Sequence, residues 1–308
     1  MRHPVKMVAR ILLILLPVLL LFSAGYGCGS NTDTPQKVFM WKITSGTTYV
    51  YILGTVQVKD ESIYPMNSVI ENAFNNTDDF VVGVNTKNID QSETEQYVSD
   101  YGMYAVGEGL NQNIPDSLYS QLEQFKQKHG VDLTTYERYK PWVVYNVMGQ
   151  VILLDLGYKT ELEMETYFIN KAETADKNII EMETAISRWD LMSSVPDAAN
   201  FAMMAYDADN PETGQDLEDI FDAWKNGDAE KMESLVFKPK NEAPDTAPYF
   251  DNKYDARNPN LVSKIEGLLA GNQTHFVVVN AGNLLGKNGI LSLLKTKGYL
   301  IEQVYTAK

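Results

Sequence analysis

Apolar residues cluster over Val38-Phe39-Met40-Trp41-Lys42-Ile43 and again over Tyr49–Val56, with Ser45-Gly46-Thr47 between them. β-branched and aromatic residues dominate both runs, which predicts two strands joined as a hairpin. Val69, Ile70, Ala73 and Phe74 recur at helical spacing, predicting a helix over Met66–Phe74, and the apolar run in Asp79–Val84 predicts a buried strand. The next stretch changes period. Apolar positions near a 3.6-residue repeat predict helices over Asp90–Met103, Pro115–His129, Leu133–Leu156 and Glu161–Ala175. Gly130 reads as a helix stop and Pro141 as a helix start. Asn178–Glu181 reads as a short strand, with further helices up to about Phe237. Lys238–Tyr249 holds Pro239, Pro244 and Pro248 and reads as a loop. Asn260–Ala270 is predicted helical. The chain closes with a strand at His275–Asn280, a helix at Gly286–Lys297 and a strand at Leu300–Tyr305, a βαβ signature that favours a parallel pair.

Strands at both ends and helices between them predict an α/β fold. Its mixed β-sheet would be built from the N- and C-terminal segments around a large helical middle section. The predicted domain covers residues 38–308, with a helical insertion at about 90–250.

The start of the chain has a different pattern. Arg2, His3, Lys6 and Arg10 precede an apolar run from Ile11 to Phe22, broken only by Pro17, and then come Ser23-Ala24-Gly25-Tyr26-Gly27 and Cys28. The run is too short to span a bilayer comfortably, so residues 1–27 read as a secretory signal peptide. Cys28 is the only cysteine, which excludes an internal disulfide. Its setting resembles a bacterial lipoprotein cleavage site, although Gly25 stands where such sites usually carry Leu. That reading makes Cys28 the lipidated first residue of an extracytoplasmic, membrane-anchored protein, with residues 28–37 as a polar tether. The alternative is a secreted protein released by signal cleavage.

Composition narrows the partners. With 44% hydrophobic and 22% charged residues the chain is ordinary for a globular protein. The first 27 residues hold three basic residues and no acid, so the remainder carries 23 basic against 41 acidic residues. A body this acidic repels phosphate backbones, which argues against a nucleic-acid partner.

Three sets of residues, in order, carry a resemblance. The first is Trp41-Lys42-Ile43 with Tyr51-Ile52-Leu53-Gly54-Thr55-Val56-Gln57-Val58 and Tyr64-Pro65. The second is Lys140-Pro141-Trp142, Gly157-Tyr158, Phe168 and Glu181-Met182-Glu183-Thr184. The third is Arg257-Asn258, the run from Phe276 to Gly286 containing Asn280-Ala281-Gly282-Asn283, and Lys297-Gly298-Tyr299. From Phe39 to Val304 the chain resembles the TraB/GumN family, whose superfamily includes the Tiki metalloproteases and, more distantly, erythromycin-esterase and ChaN-like proteins. The resemblance implies two Gly-x-x-His motifs and an acid facing one pocket that holds a divalent metal. Here the histidine positions carry Gln57 and Asn283, Gly83 replaces an acid on the third strand, and Tyr167 stands where a middle helix often carries His.

Carboxamides are weak neutral ligands and do not titrate near neutral pH, so they cannot replace imidazole as ligands or as acid–base groups. His129, beside a helix stop, and His275, at a strand entry, share no ligand spacing. No metal or other cofactor is therefore expected. The candidate pocket is degenerate: Gln57 and Asn283, expected at the C-terminal ends of strands, where α/β sheets bind ligands, with Glu165, Glu183 and Arg257 nearby. Such a set could hold a peptide or small polar ligand by hydrogen bonds. The expected function is a non-catalytic protein, a pseudoenzyme that binds a ligand or a partner. The alternative is a Tiki-like metal-dependent hydrolase, a peptidase or esterase, recruiting Glu165, Glu183 and other oxygens. The acidic stretch Asp207–Asp222 reads as a solvated face.

Overall fold

The computed structural model describes residues 35–131, 133–210 and 212–306. The signal-peptide and tether residues up to 34, Cys28 among them, lie outside the described residues. β1 (Lys37–Ser45) and β2 (Thr48–Thr55) form the expected antiparallel hairpin, with Ser45 opposite Thr48. The two-residue turn between them places Gly46 at φ +58°, the left-handed conformation that short hairpin turns need. β3 (Asp79–Val82), β4 (Ile179–Glu181), β5 (His275–Asn280) and β6 (Leu300–Tyr305) complete a six-stranded sheet in the order β4-β3-β5-β2-β1-β6. β5 lies parallel between β2 and β3, and β4 is parallel to β3.

β6 forms as expected but does not pair with β5. It lies antiparallel to β1 at the far edge, with β2 and β1 between it and β5. The βαβ pattern gives direction, and β5 and β6 do run the same way. The hairpin already fills the place beside β5, so the last strand takes the free edge of β1.

The helices lie mainly between β3 and β5, interrupted by the short β4. In chain order we label α1 (Ser68–Asn75), α2 (Gln91–Tyr101), α3 (Asp116–His129), α4 (Pro141–Asp155), α5 (Met164–Thr174), α6 (Ala185–Ser193), α7 (Asp197–Asp209), α8 (Thr213–Lys225), α9 (Ala229–Val236), α10 (Asn258–Leu269) and α11 (Ile290–Thr296). The predicted Leu133–Leu156 helix divides into a 3₁₀ turn at Leu133–Tyr136 and α4, because Pro141 starts a new helix. Lys238–Tyr249 is not a loop. It holds short helical segments at Lys238–Glu242, Pro244–Thr246 and Ala247–Phe250, and each of its prolines sits in a first turn, where the missing N–H costs nothing.

The sheet core is aromatic on one face. Phe80 and Phe276 are paired in register, and Phe74 of α1 and Phe168 of α5 pack on them with ring centroids 4.9–6.2 Å apart. A second apolar cluster joins α2, α3 and α4 through Tyr97, Leu122, Trp142 and Met148, reaching Met204 of α7. Among the described residues no helix is long and apolar enough to cross a membrane.

Candidate functional site

β2 and β5 are parallel neighbours, so their C-terminal residues, Thr55 and Asn280, open onto the same edge of the sheet. Both motif segments there depend on glycine for space. A Cβ on Gly54 would stand 2.6 Å from the Phe39 ring and 2.9 Å from Leu284, and one on Gly282 would stand 2.6 Å from the Tyr254 ring. Glycine at each position thus lets the hairpin and the Ala247–Asp255 segment close over the strand ends. The Trp224 indole donates to the Gly54 carbonyl at 2.7 Å and fixes the same corner.

Beyond these strand ends lies a cavity of ≈ 310 Å³. Its floor is Thr55, Gln57, Asn280 and Gly282, and its walls come from α4, α7, α8 and the Tyr249–Tyr254 turn. The half-buried Gln57 amide makes no hydrogen bond with another described residue. Asp60, rather than Gln57, caps the following 3₁₀ turn. On the opposite wall the Tyr145 hydroxyl donates to Asp207 Oδ2 at 2.9 Å, and the Tyr145 ring meets Tyr249 edge-on at 5.2 Å. Burial pushes the Asp207 carboxyl up to about 6, against the Tyr145 hydrogen bond and the Lys253 charge, which pull it down. The Lys253 ammonium lies 5.3 Å from the Tyr249 ring centroid and 5.4 Å from that of Tyr254, and it donates to the Tyr249 hydroxyl at 3.4 Å. It forms no ion pair with a described residue.

A charged cluster sits beside this cavity. The Arg257 guanidinium grips Glu183 as a fork, Nε to Oε1 at 2.7 Å and Nη2 to Oε2. Arg188 Nε approaches the same Oε2 at 3.7 Å. The Glu183 side chain is 3% exposed, Arg257 12% and Arg188 42%. Thr55 Oγ1 donates to Glu165 Oε1 at 2.6 Å. Burial and then the neighbouring Glu165 charge push Glu163 up to about 7, opposed by Arg188. Thr55 thus joins two compartments: its residue lines the cavity while its hydroxyl serves the cluster.

The structure brings Glu165, Glu183 and Arg257 together, around Arg188. It places Gln57 in the adjoining cavity. Asn283 stands apart from both. It is fully buried in the helical turn Ala281–Leu284, its Nδ2 donates to the Asn280 carbonyl at 3.4 Å, and its Oδ1 has no partner among the described residues. Its neighbours Asn280 and Gly282 reach the cavity instead. Arg188, Glu163, Tyr145, Asp207 and Lys253 escaped the sequence reading. The Tyr249-x-x-x-Lys253-Tyr254 spacing was the available signal, in a stretch that begins at the end of the Lys238–Tyr249 loop reading and runs on where no element is predicted. The Asp207–Asp222 face is also less solvated than expected, since Asp207 turns onto Tyr145 and Asp216 pairs with Lys238 at 2.9 Å.

These residues do not fit a divalent ion. The Glu183 N–H donates to the Gly83 carbonyl at 2.8 Å, which sets that carboxylate against the strand position that lacks an acid. A Cβ on Gly83 would meet Arg188 Nη2 at 3.2 Å and Glu183 Oε2 at 3.5 Å, so a guanidinium fills the space an acid would use. Both oxygens of Glu183 are committed to Arg257, and two fixed positive charges repel a metal ion. The lone Asn283 Oδ1 offers one neutral oxygen. Among the described residues no three His, Cys, Asp or Glu side chains are grouped so as to hold a metal ion. The two histidines among the described residues lie elsewhere: His275 Nε2 is 3.4 Å from Asp79, and His129 Nδ1 is 2.5 Å from Asp155.

The TraB/PrgY/gumN family model matches residues 39–303 of the chain. Comparison with curated proteins and with solved structures gave no match.

Proposed function

The chain belongs to the TraB/PrgY/gumN family, and we propose that within it this protein is a non-catalytic binding protein, tethered outside the cytoplasmic membrane by a lipidated Cys28. Its ligand is a peptide or a small polar molecule, held in the cavity at the C-terminal ends of β2 and β5. The observation that carries this reading is the contrast between two adjacent compartments. In one, Arg257 and Arg188 neutralise Glu183, whose two oxygens are both engaged and so leave no ligand for a metal ion that would activate water. In the other, the Gln57 amide has no hydrogen-bond partner and the Lys253 ammonium no carboxylate partner among the described residues, and both residues line the cavity. A cavity with apolar walls and a few convergent polar groups is what small-ligand sites look like.

Gly149 gives the test. It lines the cavity from the middle of α4, and a Cβ there would meet nothing within 4 Å. Phenylalanine at this position has room to enter the cavity and fill it. A thermal-shift screen of amino acids, short peptides and sugars should give hits with the wild-type chain that disappear in Gly149→Phe, whose own unfolding temperature should not fall. Hits that survive in Gly149→Phe would place the binding site elsewhere. No hits with either chain would count against a binding role.

A further inference from the structure

Two opposite charges face this cavity without neutralising each other. Asp207, on α7, holds only the Tyr145 hydroxyl, and Lys253 rests on the faces of Tyr249 and Tyr254. Their charges act on one another, yet the two side chains form no ion pair. The other charged residue lining the cavity, Asp216, is already paired with Lys238, and the neutral Tyr206 hydroxyl donates to Glu242. A separated carboxylate and ammonium in a partly apolar space present the complement of a molecule that carries both charges.

We propose that the cavity selects an amino-acid-sized zwitterion, its ammonium on Asp207 and its carboxylate on Lys253, with an apolar side chain against Ile152, Met203 and Phe250. This rests on the binding role proposed for the cavity and names its ligand class. At ≈ 310 Å³ the space lies at the lower end of the range of small-molecule sites, about 300–1,000 Å³, which suits one residue rather than an extended chain. Gln57 and Asn280, at the strand ends, can take the remaining hydrogen bonds of the ligand's ammonium and carboxylate. With its carboxyl pushed up to about 6, Asp207 is still ionised at pH 7.5 and able to receive an ammonium.

Calorimetric titration of the full chain at pH 7.5 tests this with four probes. They are L-phenylalanine, N-acetyl-L-phenylalanine, L-phenylalaninamide and the doubly blocked N-acetyl-L-phenylalaninamide. L-phenylalanine should bind, and each singly blocked probe should bind at least about tenfold more weakly, because a buried charge loses its partner. Asp207→Asn should remove the penalty for the acetylated probe alone, and Lys253→Met the penalty for the amide alone. Equal binding of all four probes to the wild-type chain overturns the zwitterion assignment while leaving the cavity a binding site. Failure of every probe to bind also overturns it, and the Gly149→Phe screen then decides separately whether the cavity binds anything. The wild-type comparison needs no substitution, so an unstable variant would not rescue the idea.

Discussion

Replacing Arg257 by Met should destabilise this protein far more than an ordinary surface change. Glu183 is 3% exposed and both its oxygens are held by Arg257, so removing the guanidinium leaves a buried charge without its main partner. Breaking such a pair typically costs about 3–5 kcal/mol. Arg188 remains at 3.7 Å but is 42% exposed and screened by water, so it returns only part of the loss. The expected cost is therefore near the lower bound, about 3 kcal/mol, or about 6 °C at about 2 °C per kcal/mol for a domain of this size. The double variant Glu183→Leu/Arg257→Met removes both charges, and it should recover to within about 1 kcal/mol of wild type. Thermal unfolding followed by circular dichroism at pH 7.5 reads all three proteins. If Arg257→Met unfolds with the wild type, or if the double variant is no better than the single one, Glu183 is not the buried anion described here.

Three further outcomes follow from the same geometry. The Glu163 carboxyl is pushed up to about 7 in the fold, so the native state holds its proton more tightly than the unfolded chain does. This contribution to stability is present at acid pH and is lost as pH rises from the ordinary glutamate range through about 7. Glu163→Gln should flatten that part of the curve of unfolding temperature against pH, and an unchanged slope would assign it to other groups. Gly149→Ala, in mid-helix with open space around it, should stabilise by about 0.5–1 kcal/mol, and a lowered unfolding temperature would contradict the space seen there. Gly54→Ala drives a methyl into Phe39 and Leu284 and should cost about 1–3 kcal/mol in thermal unfolding, whereas a neutral result would mean the strand corner is looser than it stands.

Much of this architecture is written locally in the chain. The hairpin, β5, α5 and the stop at Gly130 follow from residue pattern alone, because each depends on neighbours in sequence. Non-local facts were not legible. Nothing in Leu300–Tyr305 says that its partner is β1 rather than β5, since strand neighbours are chosen by which edge remains free. The proline-rich stretch misled because proline breaks a helix interior but fits a first turn.

The site divides in the same way. Gln57, Glu165, Glu183 and Arg257 were found through motif position. Arg188 was invisible because its role arises from Gly83, a hundred residues earlier, leaving room for it. Asp207 lies in a segment that reads as a solvated face and Lys253 in one with no predicted element, and only the folded chain turns them onto one cavity.

On the function proposed above, Arg257 and Arg188 rather than a metal ion compensate the buried Glu183 carboxylate at these strand ends. Elemental analysis of the full chain tests it most directly, after incubation with manganese, cobalt or zinc and desalting. The protein should retain no stoichiometric metal. One tightly held ion per chain, lost on Glu165→Gln or Glu183→Gln and accompanied by peptide or ester cleavage that chelation abolishes, would contradict it.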